Sequence, residues 1–384
     1  MIDETRILEN LKEVSFPRLS GTEFEKKCFN IVKKKIENLN LSPIVQEFSF
    51  STFYSRIYPK LALTLLSWLF IVLFLNFQII FTFVNLSLTI FFILILIILT
   101  RKPEIIRLGH EYYSQNIFVK LSSKPKNESS DYNILLFSHI DSKGQVFSIK
   151  TRIQLYYVWV VTFPLGLLFT ILNSFFLTEV SLLLYLLGFL TLGINCMATV
   201  LLWINKTNNK SKGAIDNGSG MSCVLELLNY YSNPKNRLEN YDMWFVFTGA
   251  EESGTMGVRN FYNYMKDFDR KRTFIANFDS IANKVILWDH GLLNNKNYKS
   301  INYILENKDI MSIEKTRRIY IGTYSDGLFL LNKKFQGLGN GDKSTYSYVH
   351  SVNDDVDKIN IKVLKKLCKF YTILLSEVDI NLKK

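Results

Sequence analysis

The sequence predicts an α/β protein with a mixed, largely parallel central sheet flanked by helices, joined to four long apolar helices in two hairpins. Three observations predict it. Short apolar runs have the length of buried strands, amphipathic segments at helical spacing lie between them, and two long blocks are almost free of charge. Among the 384 residues only 18 are Gly and 7 are Pro, which excludes a disordered or collagen-like chain.

The elements follow in order. Thr22 with Glu25 three residues on reads as a capping box, and Phe24, Cys28, Ile31, Val32 and Ile36 continue it at helical spacing. Residues 43–50 and 116–121 read as strands. Residues 133–138, 243–248 and 273–278 are apolar runs of the kind found in central, doubly covered strands. Met221, Val224, Leu227 and Leu228 make a helical face between two of them. A last helix is expected over 358–378, with Ile361, Leu364, Leu367, Cys368 and Tyr371 inward and lysines outward.

The uncharged blocks are 61–100, 40 residues without Asp, Glu, Lys, Arg or His, and 153–205, where Glu179 is the only charge. A bilayer core of about 30 Å takes roughly 20 apolar residues per helix. Each block therefore predicts two transmembrane helices, turning between Asn76 and Asn85 in the first and near Asn173 to Glu179 in the second. On this reading 60–100 and 153–205 are inserted transmembrane hairpins, and 1–59, 101–152 and 206–384 together form one α/β domain. Arg56, Lys60, Arg101, Lys102, Arg107, Lys150, Arg152, Lys206, Lys210 and Lys212 flank the blocks on one side, and the hairpin tips lack basic residues. The expected protein is thus a multi-pass integral membrane protein with the lipid bilayer as partner and its α/β domain in the cytoplasm. The same placement accounts for much of the net charge of +12, and no nucleic-acid partner is expected. The N-terminus shows no apolar core of a cleaved signal peptide, and Cys28, Cys196, Cys223 and Cys368 have no paired spacing, which suits a reducing compartment.

Polar clusters follow the apolar runs. The first ends in Ser138-His139-Ile140-Asp141-Ser142. Gly213-Ala214-Ile215-Asp216-Asn217-Gly218 opens a helix, 243–248 leads into Glu251-Glu252, and 273–278 leads into Asp279. His350 stands far downstream, before Asp354 and Asp355. Such groups at the carboxyl ends of neighbouring strands converge on one crevice in open α/β sheets. Two His with several carboxylates suit zinc, and less specifically other divalent metals. His110 and His290 have no such context and are read as structural.

In this order the clusters resemble peptidase family M28, the di-zinc aminopeptidases and their relatives. Pro17-Arg18-Leu19-Ser20-Gly21-Thr22 is similar to that family's opening, and Asp357-Lys358-Ile359 to its close. The resemblance implies a zinc-exopeptidase type of fold and a two-zinc site. His139 and Asp279 would hold one ion, Glu252 and His350 the other, and Asp216 would bridge them. It further implies Glu251 as general base, Asp141 as the carboxylate that orients His139, and hydrolysis of peptide bonds by an aminopeptidase. Two departures stand out: Ile215 precedes Asp216 where the family often has a second acidic residue, and Gly327 follows Ser325-Asp326 where it usually has His. A glutaminyl-cyclase-like acyltransferase, or a catalytically silent membrane receptor or scaffold, are the alternatives on the same fold. Because Asp141 lies 11 residues from Arg152, and Asp216 lies 11 from Asn205, the cleft is expected to border the membrane and to take hydrophobic or membrane-associated peptides. Nothing in the sequence sets the oligomeric state.

Overall fold

The computed structural model describes residues 1–123, 131–175, 179–289, 293, 299–315 and 325–381. Two compact units emerge, one made of 1–50, 112–148 and 208–384, the other of 51–111 and 149–207.

The first unit is built on eight strands: β1 (Ile44–Ser51), β2 (Glu111–Leu121), β3 (Tyr132–His139), β4 (Tyr241–Thr248), β5 (Thr273–Phe278), β6 (Val285–Asp289), β7 (Met311–Lys315) and β8 (Gln336–Gly341). Their order across the sheet is β1-β2-β4-β3-β5-β8-β6-β7. The centre is parallel: β3 runs beside β4, with His139 opposite Thr248, and beside β5, with Phe137 opposite Asn277. β8 continues the parallel array next to β5, while β2 on β4 and β6 on β8 are antiparallel. The sheet is therefore mixed and largely parallel, as expected.

Alternation along the central strands sends side chains to two cores. Leu135, Phe137, Trp244, Val246 and Ile275 join Phe118, Phe261 and Met265 on one face. Ile134, Leu136, Phe245 and Phe247, equally buried, point to the other. Among the helices are α1 (Glu4–Val14), α2 (Glu23–Glu37), then α3 to α6 of the second unit, and α7 (Gly220–Ser232), α8 (Met256–Met265), α9 (Lys299–Glu306), α10 (Asp326–Asn332) and α11 (Ile361–Asn381). α11 starts at Ile361 rather than at 358 because Asp355 caps a separate short turn, Val356–Lys358, by accepting from Val356 N. Leu364, Leu367, Cys368 and Tyr371 are fully buried along it, as its spacing predicts.

Two expectations change in detail. The capping box at Thr22 does not form: the Thr22 side chain makes no cap bond, and Glu25 instead turns inward. β6, β7 and β8 have no counterpart among the expected strands: β6 is nonetheless a short apolar run, Val-Ile-Leu-Trp, whereas β8 reads Gln-Gly-Leu-Gly-Asn-Gly and is a strand because β5 and β6 pair with it on both sides. Of the two histidines read as structural, His290 lies outside the described residues.

The second unit holds α3 (Tyr58–Leu75), α4 (Ile79–Leu99), α5 (Ile149–Asn173) and α6 (Glu179–Ile204). α3 and α4 turn at residues 76–78, inside the predicted interval; the expected turn at Asn173 to Glu179 falls partly outside the described residues. These four helices are long and apolar enough to cross a membrane, by length and composition. Within the unit Phe70, Phe74 and Leu192 form a small core. A closed polar network lies beside it: Ser67 Oγ donates to Asn195 Oδ1 at 2.7 Å, and Trp159 Nε1 donates to Ser67 Oγ and Thr199 Oγ1 at 3.1 and 3.0 Å. Asn195 Nδ2 completes it on Trp159 O and Thr162 Oγ1. Because every buried group in it has a partner, the network fixes how the helices meet instead of opposing their packing.

Candidate metal centre

The parallel strands β3, β4 and β5 end at the same edge, and each hands over to a ligand-bearing segment. His139 is the last residue of β3, Glu251 and Glu252 follow β4 after Gly249-Ala250, and Asp279 follows β5 directly. Asp216 comes from the turn before α7, and His350 from a turn ahead of α11. Gly213, at φ 59°, is required at the base of the Asp216 turn, since a Cβ there would lie 2.4 Å from Ser142 Cβ and 2.5 Å from Asp216 O. Ala250, Thr255 and His350 also hold left-handed backbone, φ 50°, 58° and 64°. Strained residues of this kind cluster where a site must be held in one shape.

All five predicted ligands come together, in two clusters that share Asp216. His139, Asp216 and Asp279 form one, and Asp216, Glu252 and His350 the other, with the ligand atoms of each within 4.8 Å of one another. His139 Nε2 lies 3.1 Å from Asp216 Oδ1 and 3.7 Å from Asp279 Oδ1. His350 Nε2 lies 3.2 Å from the other Asp216 oxygen, Oδ2, and 2.6 Å from Glu252 Oε1. Each carboxylate oxygen of Asp216 thus faces a different imidazole.

These residues fit a pair of cations. His139 Nδ1 faces only acceptors, Asp141 O at 3.1 Å and Asp141 Oδ1 at 3.3 Å, so it carries the proton. Nε2 then turns a lone pair on two carboxylates, an arrangement that requires a positive charge between them. Asp216 Oδ1 is buried with no hydrogen-bond partner. Zinc bonds of about 2.0–2.2 Å to N and O place tetrahedral ligands about 3.3 Å apart, close to most of the separations here. The same demand appears as proton affinity. Although burial works against the charge, Asp141, Asp216 and Asp279 hold His139 well above the ordinary histidine range. Burial likewise opposes the Asp216 charge, but His139 and His350 hold that carboxyl well below its usual range.

Glu251 and Glu252 are neighbours with opposite electrostatics. Burial pushes Glu251 well above the carboxylate range, with Glu252, Asp326 and Asp279 adding to it and His139 opposing. Glu252, equally buried, is pulled down to about 2 by His350 and Lys143. Asp141 ties the pair to His139: its Oδ1 accepts from Glu251 N at 3.1 Å and its Oδ2 from Glu252 N at 3.1 Å.

Several supporting residues had no part assigned to them in the predicted site. Ser20 Oγ donates to Asp141 Oδ2 at 2.5 Å. The buried Arg18 guanidinium donates to Phe16 O and Ile140 O, and to Lys212 O and Gly213 O, stitching the His139 segment to the Asp216 turn. Glu25 accepts from Gly21 N, Ser114 Oγ and Ala250 N, reaching the residue before Glu251. Asp354 accepts from Ile215 N at 2.6 Å and Asp216 N at 3.4 Å. Lys143 and Gln145, two and four residues beyond Asp141, touch Glu252 and His350.

Comparisons with known proteins agree with this geometry. The model of peptidase family M28 matches residues 194–372, a span that contains Asp216, Glu251, Glu252, Asp279 and His350. No curated protein matches the chain. Among solved structures, the zinc aminopeptidase BSAP from Bacillus subtilis aligns with 98% of this chain and 95% of its own, at 14% identity and a TM-score of 0.55. The aminopeptidase from Aneurinibacillus sp. strain AM-1 aligns over 98% and 93%, at 13% and 0.54. Glutaminyl cyclase from Fimbriiglobus ruber aligns over 98% and 95%, also at 13% and 0.54. Likeness at this identity establishes the fold. The family match over 194–372 and the two ligand clusters carry the class of chemistry.

The chain is an M28-like zinc metallopeptidase.

The comparisons also correct where the sequence placed this metallopeptidase. Inserted transmembrane hairpins, a lipid bilayer partner, a multi-pass membrane location with a cytoplasmic catalytic domain, and a cleft bordering the membrane were expected. The aminopeptidase structures match 98% of the chain, leaving no separate anchoring block outside the matched span, and these assignments are withdrawn. The apolar helices themselves stand as described. The physical reason for the difference is that an uncharged run of helical length fixes what a helix tolerates around it, not what surrounds it.

Proposed function

We propose that the metallopeptidase is an aminopeptidase that removes N-terminal residues from peptides. The observation that carries this reading is the shared ligand: one carboxylate, Asp216, joins two complete clusters, each with its own His and a second carboxylate. A pair of divalent ions held there supplies Lewis acidity that polarises a carbonyl and acidifies water. Two clusters favour hydrolysis over the cyclase alternative, which works with a single zinc. The similarity to aminopeptidases from Bacillus subtilis and Aneurinibacillus points the same way.

In this proposal His139 and Asp279 would hold one ion and Glu252 and His350 the other, with Asp216 common to both sets. Glu251 is the general base, taking a proton from the attacking water and passing it to the leaving amine. Its raised proton affinity suits a group that must accept and then release a proton near neutral pH. Asp141 is a positioning residue that fixes the His139 tautomer through Nδ1 and, by the two backbone N–H groups it accepts from, sets the angle at which Glu251 leaves the chain. Asp279 is the most open ligand, 20% exposed at the side chain against 3% for His139, so substrate enters from its side. Its carboxyl group makes the open side of the site one suited to a free α-ammonium group.

A digest of a peptide library by the zinc-loaded enzyme tests the reading, with each peptide supplied free and N-acetylated. Stepwise loss of N-terminal residues from the free set alone is the expected outcome. Equal cleavage of both sets excludes an aminopeptidase, and absence of cleavage by folded protein carrying two ions excludes a general peptidase.

A further inference from the structure

We propose that the segment Lys143-Gly144-Gln145 is a clamp for the second metal site, in which Lys143 fixes Glu252 and Gln145 fixes His350. Nothing in the ligand set requires these two residues, and neither is itself a ligand type for zinc in this arrangement. Their geometry is nonetheless directed at one cluster only.

Lys143 is a buried lysine, 9% exposed, whose Nζ lies 2.5 Å from Glu252 Oε2 and 3.3 Å from Glu252 O. The other carboxylate oxygen, Oε1, faces His350 Nε2. The ammonium therefore holds one oxygen and leaves the other for the metal side, so Glu252 offers a single ligand atom. Two residues on, Gln145 Oε1 lies 3.2 Å from His350 Nδ1, and Gln145 N donates to His350 O at 2.8 Å. Accepting from Nδ1 leaves Nε2 as the ligand nitrogen, the part Asp141 plays for His139. Gly144 keeps the short extended segment close to Asn208: a Cβ there would lie 2.1 Å from Asn208 Oδ1 and 3.1 Å from Asn208 O, so a side chain at 144 would have to displace the Asn208 amide. Lys143 and Gln145 alternate with Gly144 and so leave the backbone on the same side.

A clamp and a bare cation make opposite predictions. If Lys143 only added positive charge beside a metal, its removal would tighten binding. If it orients Glu252, removal leaves Oε2 buried, charged and free to rotate, and the site loosens. Partners that orient metal ligands typically contribute 10–100-fold to affinity.

This inference rests on the two-metal reading, and the experiment separates the two. Chelator-stripped full-length protein is titrated with Zn2+ against a chromophoric chelator, and in parallel with Co2+ while visible absorption is followed. Wild-type protein is expected to bind two ions; fewer than two overturns the two-metal reading itself. Lys143→Met should leave the first ion unchanged and weaken the second roughly 10–100-fold, with the second Co2+ absorption step shifted to match. Lys143→Arg should restore most of the affinity, and Gln145→Leu should weaken the same site by less. Retention of the first ion reports that a variant has folded; if Lys143→Met does not fold, Gln145→Leu and Lys143→Arg answer the question alone. Second-site binding as tight as wild type or tighter overturns the clamp, as does equal weakening of both sites.

Discussion

His139 and His350 face the two oxygens of one carboxylate, yet they stand on different kinds of backbone. His139 ends a central strand that is paired on both sides, and Asp279 follows its neighbour directly. Glu252 sits in a short turn between left-handed Ala250 and Gly254, and His350 is itself left-handed. The ladder of the sheet positions the first cluster. The second is positioned by side chains: Asp141 on the Glu252 amide, Lys143 on its carboxylate, Gln145 on the His350 ring, and Asp354 from the His350 segment back to the Asp216 turn. A strand end inherits its precision from backbone hydrogen bonds, whereas a loop acquires it from buried polar contacts that must each be satisfied.

The largest effect should come from the proposed general base, Glu251. Glu251→Gln is isosteric and leaves both ligand sets untouched, so two ions should remain bound while turnover falls by at least 10²–10⁴-fold. Metal analysis beside kcat checks this, and a fully active variant would remove Glu251 from the proposed mechanism.

Next in size is a direct break of each cluster. His139→Ala should leave one ion, held at the Glu252 side, and His350→Ala should leave one ion, held at the Asp279 side. The pair differs in stability as well. Without His139, Asp141 loses its ring partner and the buried Asp216 carboxylate faces the half-buried Asp279 with nothing between them, a loss of about 1–3 kcal/mol per unsatisfied buried group. His350→Ala leaves the sheet edge intact and should cost less in Tm. Equal Tm losses would mean that the loop and the strand end are equally integral to the fold.

How much of this was legible follows the same division. Of the ligands, Glu251 and Asp141, all but His350 stand just after apolar runs or in a glycine-bounded turn, so their convergence could be expected from the order of clusters along the chain; His350 has only the Asp354-Asp355 segment beside it. β3, β4 and β5 were readable because central parallel strands are apolar throughout. β8 was not, since half its residues are glycine and its conformation is imposed by neighbours. Glu25 was misread because a Glu three residues after Thr is locally a capping residue; only the fold brings Ala250 and Ser114 to it. Lys143 and Gln145 carry no sequence signal, because a lysine two residues past an aspartate is ordinarily solvated. The apolar blocks show the converse limit: hydropathy located four helices to within a few residues and said nothing decisive about their surroundings.

The supports behind the loops are themselves titratable, which sharpens the comparison through pH. Burial and the nearby Asp216 charge push Asp354 up to about 8, and burial with Asp141 pushes Glu25 up to about 8. From about pH 4 upward the unfolded chain has released these protons while the metal-free fold keeps them. The fold binds more protons, so its stability falls as pH rises from about 5 towards 8. His139, also raised, adds in the same direction; Glu252 and Asp216, lowered, act only below about pH 4. Bound cations favour the charged carboxylates and should flatten the slope. Calorimetry of chelated and zinc-loaded protein across pH 5–8 should show a declining Tm in the first and a widening gap between them. A Tm that rises with pH in the chelated protein would contradict it.

The smallest effect tests whether the strand side needs side-chain support at all. Ser20 Oγ donates to Asp141 beside the amides of Glu251 and Glu252 and the His139 ring N–H. Ser20→Ala removes a hydrogen bond to a buried carboxylate, about 1.5–3 kcal/mol at most, and leaves the two amides and His139 in place. If the ladder alone positions His139, the first ion binds as in wild type and kcat changes by no more than a few-fold. A drop in first-site affinity comparable to that expected at the second site for Lys143→Met would erase the distinction. It would mean that the strand end, like the loop, owes its geometry to a polar contact, and that Asp141 is held by Ser20 as firmly as Glu252 is by Lys143.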